Sequence, residues 1–153
     1  GVPKAERTKT ALEFLTLAGL SDAVNKYPHE LSGGMRQRAA VARTLANAPD
    51  VILMDEPFAA VDAQTRMTLQ EELVRIWAQS RATVFFVTHS VEEAIFLGDR
   101  VVVLQDRPGP IKADIQVNID RDLRKWPDLN TNARFQELRE EITALVRKNM
   151  APK

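Results

Sequence analysis

Apolar residues in this chain keep two rhythms, and each predicts a different kind of element. Between Lys4 and Ala18 they recur at helical spacing, with Ala11, Leu12, Leu15 and Ala18 towards one face. Pro3 stands at the entry of that segment and Gly19 at its exit, the asymmetry expected of a helix. A second short helix is expected around Asp22 to Asn25, stopped by Tyr27-Pro28. Met35, Ala39, Ala42, Leu45 and Ala46 then fall near helical spacing again, up to the break at Asn47-Ala48-Pro49-Asp50. Beyond the break the rhythm changes. Val51-Ile52-Leu53-Met54 and Thr83-Val84-Phe85-Phe86-Val87 are continuous apolar runs without alternation, which predicts strands buried on both faces, as in a parallel sheet. Between them Leu69, Leu73, Ile76 and Trp77 stripe another helix, and Arg100 to Gln105 reads as a third strand after a short helix that ends at Gly98.

The last third of the chain has a weaker pattern. Arg107-Pro108-Gly109-Pro110 is turn chemistry, and Ile111 to Ile119 alternates in part, as in a small exposed hairpin. Arg121 to Asn132 reads as a polar linker. Phe135, Leu138, Ile142, Leu145 and Val146 stripe a final amphipathic helix expected to pack on the domain.

Composition narrows the class without naming a chemistry. With 153 residues, 44% of them hydrophobic, one domain with a real core is expected. Lys plus Arg equals Asp plus Glu, at 21 each, so no overall basic field points to nucleic acid as a partner. There is no cysteine, which excludes a disulfide framework or a cysteine zinc site and is compatible with a reducing cytosol. No apolar run approaches the roughly 20 residues that span a bilayer, so any membrane role is expected to be peripheral.

Candidate chemistry sits where the two rhythms meet polar residues. Leu31-Ser32-Gly33-Gly34-Met35-Arg36-Gln37-Arg38 places a hydroxyl and two glycines directly before a helix. The first N–H groups of a helix lack internal partners and carry partial positive charge, so an anion fits there, and glycine lets it approach closely. Ser32 is equally suited to cap that helix while the glycines make a turn. Asp55-Glu56-Pro57 ends the first apolar run at the carboxyl end of its strand, where parallel sheets place ligands. Two adjacent carboxylates there ask for cations or hydrogen bonds. Asp62 is placed to cap the following helix. Thr88-His89-Ser90 ends the second run, with Ser90 and Glu93 at capping-box spacing, which leaves His89 at the strand's end. His29, alone in a loop, reads as a surface residue.

Taken together, these motifs resemble the ABC ATPases. LSGGMRQR resembles their signature motif, with Met35 where many members have Gln; VILMDEP resembles Walker B; FAAVD resembles the D-loop, with Ala59 and Val61 as mild departures; His89 is similar to the switch histidine. The resemblance implies an α/β, P-loop NTPase ABC-ATPase fold. Residues 1–48 would be the helical subdomain, 49–105 the core with Walker B, D-loop and switch histidine, and 106–153 a C-terminal hairpin and helix. It implies that Ser32, Gly33 and Gly34 touch the γ-phosphate of ATP held by a partner subunit, with Asp62 at the same dimer interface. It further implies that Asp55 helps hold Mg²⁺, that Glu56 is the general base and that His89 contacts the γ-phosphate. DRVVVLQDRPGPIKADIQV with FQELREEI resembles the nitrate, sulfonate and taurine importer branch.

The P-loop pattern G-x-x-x-x-G-K-[ST] is not found around any of the six glycines. The expectation is therefore the later part of a cassette, lacking Walker A, the adenine-stacking residue and the glutamine loop. If the family's strand order applies, the phosphate-loop strand would lie between 83–87 and 101–104, so the isolated chain is expected to be marginally folded, with unpaired sheet edges and no useful ATP affinity. For the full-length protein the expected function is the ATPase subunit of a bacterial importer at the cytoplasmic face of the membrane. It would act as a homodimer with integral-membrane permease subunits and, indirectly, a solute-binding protein. A soluble repair or translation ATPase and a truncated, non-catalytic interaction module are the alternatives.

Overall fold

A computed structural model describes residues 1–59, 62–79, 82–105 and 109–147. The chain divides within its second strand into two units, Gly1–Phe85 and Phe86–Lys153.

In the first unit α1 spans Lys4–Leu17. It stops because Gly19 takes φ +65°, a left-handed conformation that costs glycine little, and a β-carbon there would also meet Arg38 Nη1 at 3.0 Å. The expected stripe on α1 is only partly covered: Ala18 is buried and Leu12 is exposed. The second predicted helix is a single 3-10 turn, Ser21–Ala23. Helix α2 spans Gly33–Leu45, with Val41, Ala42 and Leu45 buried. Strand β1 is Val51–Asp55, α3 is Ala63–Gln79 and β2 is Thr83–Val87. All four residues predicted to stripe α3, Leu69, Leu73, Ile76 and Trp77, are buried.

Strands β1 and β2 pair in a two-stranded sheet, beside whose start the Thr83 N–H donates to the Asp50 carbonyl at 2.8 Å. The expectation of burial on both faces is corrected here. Ile52 is 3% exposed, but Val51 and Leu53 are 57% and 76% exposed, and Phe85 and Val87 are exposed as well. An apolar run is buried on both faces only where both have a covering layer, and one face of this sheet has none among the described residues.

In the second unit α4 is Val91–Leu97, β3 is Arg100–Leu104, β4 is Ile111–Gln116 and α5 is Ala133–Arg147. Strand β4 pairs antiparallel with β3, Val101 facing Ile115 and Val103 facing Ala113, with an irregularity after Val103. The segment from Ile111 to Ile119 is thus the second arm of a hairpin begun by β3. It is not wholly exposed, since Val117 and Ile119 are buried. Of the predicted turn, Arg107 and Pro108 lie outside the described residues.

The polar linker expected over Arg121–Asn132 is also corrected. It folds into 3-10 turns at Arg121–Leu123 and Asp128–Thr131 and supplies part of the core. Leu129 is 1% exposed, and Trp126 stacks on Phe96 at 4.7 Å and meets Phe135 edge-on at 5.9 Å. Arg124 is buried too, its guanidinium spent on backbone carbonyls and Asp99. On α5, Phe135, Leu138 and Ile142 are buried as predicted, while Val146 is exposed.

Candidate functional site

The site begins with the way α2 is entered. Ser32 has extended backbone angles, φ −62° and ψ 166°, and its Oγ accepts the Met35 N–H at 3.2 Å. Ser32 therefore caps the helix. No acidic residue lies in the first turn of α2, so its partial positive charge meets no carboxylate of its own.

The two glycines that follow are not there for conformation. Neither has a left-handed φ, and a β-carbon on Gly33 would meet no atom within 4 Å. On Gly34 it would meet Thr65 Cγ2 at 3.4 Å, an ordinary contact. Glycine in a helix costs roughly 0.5–1 kcal/mol relative to alanine, and no steric need of this unit offsets it. The bare backbone at Gly33 leaves room for something outside the chain.

Helix α3 starts beside this point. The Asp62 Oδ1 accepts the Thr65 N–H at 3.0 Å. Hydrogen bonds from the Thr65 side chain and backbone hold its carboxyl below the ordinary carboxylate value. Ser32, Gly33, Gly34 and Asp62 line one open cleft of about 370 Å³, together with Arg38 and Glu72. Arg38 is the residue that sequence reasoning left without a role. Its Nη1 donates to the carbonyls of Ala18 (3.2 Å) and Gly19 (3.4 Å) and to Glu72 Oε1 (3.3 Å), tying α1, α2 and α3 together under the cleft. Its partners are 19 to 34 residues away, so no local spacing could have revealed it. Of the D-loop segment, Ala60 and Val61 lie outside the described residues.

Asp55 and Glu56 stand at the end of β1, both exposed. Glu56 has φ +43°, and the Ala59 N–H donates to its carbonyl at 3.1 Å, closing the turn. A non-glycine residue in the left-handed region costs on the order of 1–3 kcal/mol. Neither carboxylate lines the cleft at α2. Among the described residues no group of three or more His, Cys, Asp or Glu could hold a metal by itself. By itself Asp55 would supply one carboxylate to a Mg²⁺.

His89 belongs to the second unit and is exposed. The residues on either side hold its backbone: the Ser90 N–H donates to Thr88 Oγ1 at 3.0 Å, and Ser90 Oγ accepts the Glu93 N–H at 3.3 Å. Half of the predicted capping box is therefore present, while Thr88 takes the Ser90 N–H. His29 stacks on Tyr27, ring centres 5.7 Å apart.

Several known proteins are similar to this chain. Residues 3–59 match the ABC transporter family. The chain is 51% identical over 147 residues to the ABC transporter ATP-binding protein MJ0412 of Methanocaldococcus jannaschii, covering 96% of this chain and 53% of that one. It is 48% identical over 149 residues to the taurine import ATP-binding protein TauB of Rhizobium johnstonii (95% and 57%). With the nitrate import ATP-binding protein NrtD of Synechocystis sp. the identity is 41% over 151 residues (96% and 57%). Among solved structures, the dimeric bacterial ABC transporter cassette MJ0796 superposes with a TM-score of 0.60 at 36% identity, over 78% of this chain and 51% of that one. The ATP-binding cassette MJ1267 in its ADP conformation gives a TM-score of 0.66 at 21% identity, over 90% of this chain and 51% of that one, a likeness of fold alone. The chain spans about half the length of the relatives it matches. Sequence, fold and relatives agree that the chain belongs to the ABC transporter ATP-binding family and forms part of its cassette.

Proposed function

We propose that the complete protein hydrolyses ATP to drive an ABC importer, with taurine, nitrate or a similar small solute as cargo. The observation that carries this reading is the Gly33-Gly34 pair, for which the fold itself has no steric use, at a helix start free of first-turn carboxylates. Such a start suits the γ-phosphate of an ATP bound by a second copy of the subunit, with Ser32 adding a hydroxyl and Asp62 lying beside it. In the same reading Asp55 would hold Mg²⁺, which when bound neutralises charge on the phosphates. Glu56 orients or deprotonates the attacking water from a left-handed backbone at the strand's end. His89 contacts the γ-phosphate from the start of α4. The three parts 1–48, 49–105 and 106–153 act as helical subdomain, catalytic core and C-terminal extension.

The partners follow from the same reading: a second ATPase subunit, permease subunits in the membrane and, through them, a solute-binding protein. The location is the cytoplasmic face. No helix among the described residues is long and apolar enough to cross a membrane. The names of the taurine and nitrate import relatives favour import over a soluble repair or translation role. In the complete protein Glu56→Gln is expected to lower ATP turnover by about 10²–10⁴ while ATP binding stays intact. Turnover equal to the parent would remove Glu56 from the role of base.

A further inference from the structure

We propose that Arg124 is a positioning residue for His89, acting through α4, which it grips at the carboxyl end. The proposal rests on the reading of His89 as a phosphate-contacting residue. Helix α4 has seven residues, too few to be stable alone, so what holds its ends decides where it lies. At its amino end the Thr88–Ser90 and Ser90–Glu93 hydrogen bonds bracket His89 and make its backbone one piece with the first turn. Glu92 in that turn pairs with Arg139 of α5 at 3.6 Å.

At its other end Arg124 Nη1 donates to the carbonyls of Gly98 (2.8 Å) and Phe96 (3.3 Å). Its Nε and Nη2 donate to the Ile119 carbonyl at 3.0 and 2.7 Å, and Nη2 also reaches Asp99 Oδ1 at 3.0 Å. The last carbonyls of a helix have no internal donors and carry partial negative charge, which a planar guanidinium satisfies in a way no apolar side chain can. Burying a cation is costly, and an apolar residue would fill the space more cheaply. What the arginine adds is direction. Gly98 belongs to the same grip: a β-carbon there would lie 2.8 Å from the Ala94 carbonyl. Trp126, two residues after Arg124, stacks on Phe96 and prevents α4 from rolling. The helix is about 10 Å long at 1.5 Å per residue, so a shift at Gly98 is delivered at His89 almost undiminished.

The experiment is a double-mutant cycle in the complete ATPase with Arg124→Gln and His89→Ala. Arg124→Gln is expected to lower kcat on the order of tenfold or more with KM for ATP within about twofold, and to cause no further loss once His89 is alanine. Multiplicative losses, or a loss confined to KM, would overturn the proposal and leave Arg124 a purely structural residue. If His89→Ala alone leaves turnover unchanged, the reading of His89 fails and the proposal falls with it, an outcome distinct from multiplicative losses. Should Arg124→Gln fail to fold, Arg124→Lys carries the same cycle. It keeps the charge but not the fork, and a smaller loss in kcat with the same dependence on His89 is expected.

Discussion

Helices α2 and α4 are entered by the same device and present opposite charge. Ser32 and Ser90 each accept the N–H three residues on, at 3.2 and 3.3 Å. After Ser90 come Glu92 and Glu93, which answer the partial positive charge of α4 from within the chain. After Ser32 come two glycines and no first-turn acid, so the partial positive charge of α2 meets no carboxylate within its own first turn. Helix α3 combines the two features: it too lacks first-turn acids, but its cap, Asp62, is itself a carboxylate. A cap stabilises whichever helix it starts. The two or three residues after it decide whether that start is finished or open.

Ser32→Asp is the most severe test of the open start of α2. Aspartate caps as well as serine, so the chain's denaturation midpoint should hardly move. The added charge stands where a phosphate is proposed, and ATP turnover of the complete protein should fall by about 10²–10³, the scale of losing one donor to a transferring group. Normal turnover would mean that the open start of α2 serves no anion.

Glu92→Gln is the converse test on α4. Removing that carboxylate should destabilise the chain by about 0.3–1 kcal/mol at low ionic strength, read as the urea midpoint followed by circular dichroism. The difference should fade in high salt, because Glu92 is exposed. An equal loss at all salt concentrations would assign Glu92 to packing.

The smallest effect concerns Asp62. Its folded carboxyl titrates below the ordinary 3.8 through its hydrogen bonds with Thr65. A group with a depressed folded value supports the fold fully above its unfolded value and loses that support as pH falls through the folded one. The α3 cap should therefore persist at pH 4 and fade only below it. Carbon NMR of the Asp62 carboxyl should give a midpoint under 3.8, moving up in Thr65→Val; a midpoint that ignores Thr65 would refute the assignment.

These helix starts were legible because capping is local. Ser32, Asp62 and Ser90 each bond a residue three positions on, so residue type and spacing suffice. Asp55-Glu56 at a strand end and His89 between strand and helix could be placed in the same way. The left-handed backbone of Glu56 could not, since nothing in its residue type requires φ +43°. Arg38 and Arg124 show the other limit. The partners of Arg38 are 19 to 34 residues away, and those of Arg124 lie 5 residues away at Ile119 and 25 to 28 residues away at Asp99, Gly98 and Phe96. Charge pattern alone therefore placed Arg124 in a linker.

Strand positions divide along the same line. The apolar runs 51–54 and 83–87 were enough to locate β1 and β2, because a run of that length and composition has few other uses. Whether both faces are covered depends on which layers exist, and in this chain Val51, Leu53 and Phe85 are left exposed. The sequence by itself determined where elements begin, which residues cap them and which family the chain resembles, all matters of neighbours within a few positions. Only the tertiary structure decided that Ser32, Gly33, Gly34 and Asp62 share one cleft over Arg38, and that Arg124 closes α4 from within the core. Those contacts join residues far apart in the chain, and burial and hydrogen-bond geometry, not spacing, select them.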